Sequence, residues 1–249
     1  MNNYISGLIN GNFGTKGILS AGQTLRERLK PLLYALVLPA YLLLFFWVEK
    51  AVPTEGYWVS YLPIDDSIPF LEGFAVFYFV WYAMLGTLGL HLLFFNADGF
   101  RRYMIYIGIS FSVAMLFCLF FPNGQDLRPD LEALGRDNIF IRMMAAIYAA
   151  DTNTNVLPSV HVIGAFAVLF GAWNDPAVRS LRWAIPVTAV LTILVSLSTV
   201  FVKQHSLLDA LVAIPYCFLC YFLVYGLRRK GSISMRADRE KDKKWNKEP

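Results

Sequence analysis

Residues 183–209 read WAIPVTAVLTILVSLSTVFVKQHSLLD, and from Trp183 to Val202 the chain passes 20 residues without a charge. A helix of that length rises about 30 Å, the thickness of a bilayer's hydrocarbon layer. Lys203 to Ser206 are polar, and a second apolar run, Ser206–Leu227, begins at once with one acid, Asp209. The spacing predicts two antiparallel helices crossing a membrane, joined by a tight polar turn at one surface.

Four further segments read the same way: Pro31–Val48, Gly73–Phe95, Tyr103–Phe121 and Asn155–Trp173. The chain has 249 residues, 57% apolar and 16% charged. Soluble domains carry about 45–50% and 25% respectively. The expectation is an all-α, six-transmembrane-helix bundle spanning 31–227, preceded by an arm (1–30) and followed by a basic tail (228–249). The arm, dotted with glycine and asparagine and with no small-residue cleavage site after the first span, does not read as a signal peptide. The tail brings no folded domain that would suggest nucleic-acid binding; anionic lipid is its expected neighbour.

An even number of spans puts both termini on one side. If that side is cytoplasmic, 17 of the 22 Lys and Arg lie inside, including the pairs Arg101–Arg102 and Arg179–Arg182 in short loops. The positive-inside rule therefore predicts cytoplasmic termini and a multi-pass protein of the cell membrane. Trp47, Trp58, Trp173 and Trp183 stand near span ends, where interfacial anchors belong. Cys118, Cys217 and Cys220 fall inside apolar runs and are expected to pack as small hydrophobes.

Three histidines are present. His91 lies within the second span with no acid beside it and reads as structural. His161 stands where the outer loop becomes the fourth span, and His205 where the chain re-enters for the sixth. His205 and Asp209 are four apart and share a helix face. The carboxylate is placed to orient the imidazole, and an acid inside a span is a functional candidate by its cost alone. The plainer reading, a structural pair tethering a helix end, stays open at this point. Arg128, in the same outer loop, offers a planar fork that fits phosphate oxygens. With Ser159 and the two histidines it describes an anion site equipped with a nucleophile and a proton donor.

Three motifs carry a resemblance: Arg128-Pro129, then Pro158-Ser159-Val160-His161, then Ser198-Thr199 followed after five residues by His205 and by Asp209. Their order and spacing resemble the type 2 phosphatidic acid phosphatase superfamily, which includes lipid phosphate phosphatases and, more distantly, sphingomyelin and inositol phosphorylceramide synthases. Asp65-Asp66-Ser67-Ile68-Pro69-Phe70 is similar to its membrane-bound branch. The resemblance implies that His205 attacks phosphorus to form a phosphohistidine, that Asp209 orients it, and that His161 acts as acid and then base. Arg128, Ser159 and Lys203 would hold the phosphoryl oxygens, with no metal or cofactor. The chain departs from the pattern where Phe121 replaces a lysine, Thr199 an arginine and Val160 a glycine. Fewer cations suit a phosphodiester monoanion better than a phosphomonoester dianion.

The resulting expectation is a lipid phosphatase acting at the extracytoplasmic face on a membrane lipid. A headgroup phosphotransferase and a non-enzymatic membrane protein with an eroded site are the alternatives; no internal repeat of the transporter kind is visible. Residues 138–150, with Ile139, Met143, Ala146, Ile147 and Ala150 at helical spacing, predict a short helix in the outer loop, either covering the site or admitting lipid, or equally a plain packing helix.

Overall fold

The computed structural model describes residues 16–19 and 24–226; most of the arm and all of the basic tail lie outside the described residues. Ten α-helices occur among them, besides three short 3-10 or π turns: α1 (Leu25–Leu29), α2 (Leu32–Ala35), α3 (Val37–Ala51), α4 (Ala75–Phe95), α5 (Ala97–Phe120), α6 (Ile139–Ala150), α7 (Val160–Asn174), α8 (Pro176–Ser180), α9 (Ala184–Phe201) and α10 (Leu207–Tyr221). Two short strands, β1 (Trp58–Val59) and β2 (Asn123–Gly124), pair in parallel.

Five stretches among the described residues are long and apolar enough to cross a membrane: Leu32–Ala51, Glu72–Phe95, Ala97–Phe120, Ala184–Phe201 and Leu207–Gly226. The fourth expected span is shorter. Its helix, α7, has 15 residues, or about 22 Å, because residues 155–159 enter it in non-helical form. Enclosure by protein explains why this is tolerated: α4, α5, α9 and α10 all pack around α7. Backbone that leaves the helix at membrane depth is costly only where lipid touches it.

Small residues make this central position possible. Gly164, Ala165, Ala167, Gly171 and Ala172 are all buried on α7, and small side chains let helix backbones approach closely. A Cβ at Gly171 would lie 2.8 Å from Leu88 and 3.2 Å from Tyr103. The outer helices instead turn large apolar side chains outward, among them Leu43, Phe46, Phe120, Val190 and Leu219. That belt is what a lipid solvent requires. Trp47, Trp58, Trp173 and Trp183 are exposed as well.

One boundary shifts. α5 begins at Ala97, six residues before the expected Tyr103, because the Asn96 side chain accepts from the Gly99 amide at 2.9 Å and caps it. Arg101 and Arg102 therefore sit in the first turns of a helix instead of a loop. At this end of the bundle His91 contacts Asp175 at 3.4 Å, and Asn96 donates to the same carboxylate at 2.7 Å. The three cysteines are buried and unpaired.

Gly171→Leu should lower stability by about 1–3 kcal/mol through overpacking against Leu88 and Tyr103. Leu43→Ala, on the outer belt, should change it by no more than about 0.5 kcal/mol. Thermal unfolding in detergent, read by intrinsic fluorescence, compares the two; equal effects would mean that α7 is not the packing centre.

Candidate active site

The turn between α9 and α10 builds the site. The amides of Gln204 and His205 both donate to the Thr199 carbonyl at 3.0 Å, and Lys203 takes a left-handed φ of 54°. A lysine seldom adopts that conformation, so its neighbours must hold it. Gln125 donates to the Lys203 carbonyl at 3.0 Å and Tyr148 to the Val202 carbonyl at 2.8 Å. The Lys203 ammonium donates to the Asp65 carbonyl at 2.9 Å.

Ser206 then starts α10. Its hydroxyl accepts from the Asp209 amide at 3.3 Å while Asp209 accepts from the Ser206 amide at 2.9 Å, a reciprocal capping box. The fully buried Asp209 carboxylate also accepts from Ser60 at 2.5 Å. Ser60 arrives by the β1–β2 pairing, whose ladder continues from the Ser60 amide to the Gly124 carbonyl at 2.7 Å. His205 Nδ1 lies 3.4 Å from Asp209 Oδ2. This is an electrostatic contact without hydrogen-bond geometry, since Nδ1 has no hydrogen-bond partner.

His161 stands in the first turn of α7, whose N-terminus is capped by the Ser159 hydroxyl. The Ser159 amide donates to the Asp209 carbonyl at 3.4 Å, tying the starts of α7 and α10 together. The imidazole of His161 packs against Tyr78 and Trp81, with centroids at 4.2 and 4.7 Å, and faces His205 at 5.7 Å. Gly164 is what lets Trp81 lie there: a Cβ would come within 2.5 Å of its indole nitrogen.

Both histidines line a cavity of about 400 Å³ between α3, α4 and α6. Leu42 and Phe46 of α3 and Phe79 and Tyr82 of α4 form one wall, and all four are exposed on the outer surface. α3 packs chiefly along α5, so the cavity opens sideways between α3 and α4. Its inner end is polar: Glu49, Asp151, Asn155 and Gln204 join the histidines. Glu49 accepts from Asn155 at 2.6 Å and Thr152 at 2.8 Å. Burial pushes the Asp151 carboxyl up to about 6, assisted by Glu49, while His205 and Arg128 act in the opposite sense.

The sequence candidates divide into two groups. His161 and His205 line the cavity and Asp209 stands behind His205. Arg128, Ser159 and Lys203 do not line it. The Arg128 guanidinium donates to the carbonyls of Asp151 (2.9 Å) and Thr152 (2.5 Å) and to the Gln204 side chain (2.6 Å), and lies over the Tyr148 ring. Burial lowers its pKa from the usual guanidinium value. Phe121 packs on Trp58 and Phe117. The buried Thr199 hydroxyl donates to the Ser196 carbonyl. Among the described residues no group of three or more His, Cys, Asp or Glu is arranged to hold a metal ion.

Ser60, Glu49, Asp151, Asn155 and Gln204 escaped the sequence reading. Gln204 adjoins His205, and Ser206-x-x-Asp209 is itself a capping-box signature, so those two were open to a closer look. Ser60 is not: only the folded ladder carries it 149 residues along the chain to Asp209. No protein-family description, curated protein or solved structure matches this chain.

The Asp151 carboxyl gives a pH prediction. The unfolded chain releases its proton near 3.8, the folded chain near 6. Between those values the folded state binds more protons, so this group makes stability fall as pH rises, and the loss is complete above about 6. Asp151→Asn should therefore gain on wild type in unfolding midpoint between about pH 4 and 6, then run parallel to it. A pH-independent difference would show that Asp151 titrates normally.

Proposed function

We propose that the protein is a multi-pass membrane enzyme that breaks a lipid phosphoester bond through a phosphohistidine on His205. The observation that carries this reading is the pairing of His205–Asp209 with His161 at the polar end of a cavity that opens sideways through an apolar wall. The motif resemblance to the type 2 phosphatidic acid phosphatase superfamily supports the same chemistry. On this reading α7 completes six spans, the termini are cytoplasmic, and the site faces the extracytoplasmic side of the cell membrane.

The steps follow from the ring geometry. Asp209 lies against Nδ1 of His205, leaving Nε2 as the nucleophile. The Nε2 lone pair forms the P–N bond as the lipid P–O bond breaks, and His161 gives its proton to the leaving alkoxide. Water or an acceptor alcohol then loses a proton to His161 and attacks phosphorus. The P–N bond breaks and its electron pair returns to His205. Arg128 serves by fixing Gln204: its donation to Oε1 leaves the Nε2 amide, which has no partner, for a phosphoryl oxygen. Ser159 and Lys203 hold the backbone that presents the two histidines.

Water as acceptor makes the enzyme a lipid phosphatase. An alcohol-bearing lipid as acceptor makes it a headgroup phosphotransferase, and the charge of the cavity favours that second reading: no lysine or arginine lines it, so a singly charged phosphodiester meets less repulsion than a dianion.

His205→Ala should reduce turnover of mixed lipid phosphates and phospholipids by about a thousandfold or more. Mass spectrometry of lipid products and a phosphate assay separate the two acceptors. An acid-labile phosphorylated enzyme should form with wild type and not with the variant; turnover that survives His205→Ala would remove the nucleophile assignment.

A further inference from the structure

The charges at the inner end of the cavity are of one sign. Glu49 and Asp151 both line it, and no lysine or arginine does. Neither acid forms an ion pair with a cationic side chain among the described residues. Glu49, half-buried at the end of a membrane helix, accepts hydrogen bonds from two neutral donors, Asn155 and Thr152. A carboxylate in such a position is expensive to keep without a cation.

Two buried amide atoms point to what completes the site. Asn155 is 7% exposed and lines the cavity, and its Oδ1 has no hydrogen-bond partner. Its orientation is settled because Nδ2 is committed to Glu49 at 2.6 Å. Gln204 is 2% exposed and also lines the cavity; its Nε2 has no partner, and its Oε1 is held by Arg128. The residues that carry an unused acceptor and an unused donor thus line the same cavity. Leaving buried polar atoms unpaired is costly, so a ligand that pairs both gains accordingly.

Resting on the phosphoester reading above, we infer that the cavity takes a lipid phosphodiester whose headgroup ends in a protonated primary amine. The ammonium lies among Glu49, Asp151 and Asn155 Oδ1, and the phosphate lies toward Gln204 Nε2 and the histidines. A primary ammonium offers three N–H donors, and these three acceptors match them. A headgroup of hydroxyls would leave both carboxylates without an ion-pair partner, with only the field of Arg128 and, for Asp151, of His205 to offset them. A phosphate monoester dianion would add like charge in a site of reduced dielectric. Tyr41, Tyr78 and Tyr82 also line the cavity and offer ring faces that attract any cation. A quaternary amine is therefore the closest competitor, though it has no N–H for Asn155.

Binding tests this separately from catalysis. The purified full-length protein in detergent is given equal amounts of dioleoyl phosphatidylethanolamine, phosphatidylcholine, phosphatidylglycerol and phosphatidic acid, and retained lipid is read by native mass spectrometry. Wild type and His205→Ala should both retain the ethanolamine lipid about tenfold over the glycerol lipid and phosphatidic acid, the ratio one charge-assisted hydrogen bond supplies. Glu49→Gln and Asp151→Asn should each shrink that ratio toward one, while total retention of the glycerol lipid holds or rises. Equal retention in wild type, or a ratio that neither variant changes, overturns the amine site even if His205→Ala abolishes turnover. Choline lipid retained as well as ethanolamine lipid overturns the role of Asn155 and the primary amine. A tenfold ratio alongside turnover that survives His205→Ala would keep the amine site and sink the phosphohistidine.

Discussion

A fully buried carboxylate organises this end of the molecule. Asp209 has no exposure to solvent, and the contacts that compensate its burial come from two parts of the chain, one of them 149 residues away. Ser60 comes from the loop after α3 and Ser206 from the turn before α10, with His205 beside it. The N-terminal end of a helix favours negative charge, and Asp209 occupies the first turn of α10. Remove the carboxylate and the loop carrying β1, the start of α10 and the imidazole all lose a common anchor. The capping box shows that the structural and the chemical readings of His205 and Asp209 need not compete. One side chain starts a helix with one oxygen and stands against a histidine with the same carboxylate.

The second constraint is enclosure. α7 brings His161 to the centre of the bundle, and it can do so because protein, not lipid, surrounds it. Glycine at 164 and 171 admits Trp81, Leu88 and Tyr103 at distances a methyl group would forbid. Packing of small residues thus serves position: Trp81 against α7 is also Trp81 against His161. A longer helix would place the histidine no better, since the non-helical approach to α7 begins at Asn155, whose side chain lines the cavity.

Much of this was legible in the sequence where a local rule applies. Uncharged runs gave the long helices, because the bilayer sets their length independently of tertiary detail. Helical spacing gave α6. His205 and Asp209 do meet, yet His205 precedes the N-cap Ser206, so the capping turn and not a shared helix face brings them together. The short α7 was not legible: composition at 155–159 is apolar enough for a span, and only enclosure by four helices permits the chain to enter it unwound. Arg128 shows the limit of reading residue type as role. A guanidinium fits phosphate, yet it fits carbonyl oxygens equally well, and here three oxygens from Asp151, Thr152 and Gln204 occupy its terminal nitrogens. Glu49 and Asp151 stand 102 residues apart, with nothing in either neighbourhood to announce that they share a cavity.

The sideways mouth between α3 and α4 alters what concentration means for this protein. A molecule that enters through a wall of Leu42, Phe46, Phe79 and Tyr82 arrives from within one leaflet, by diffusion in two dimensions. For the lipid ligand proposed above, occupancy would then follow its mole fraction in the leaflet, and diluting the membranes in buffer would leave it unchanged. Competing lipids act by crowding the same plane, so the composition of the surrounding leaflet becomes part of the binding equilibrium.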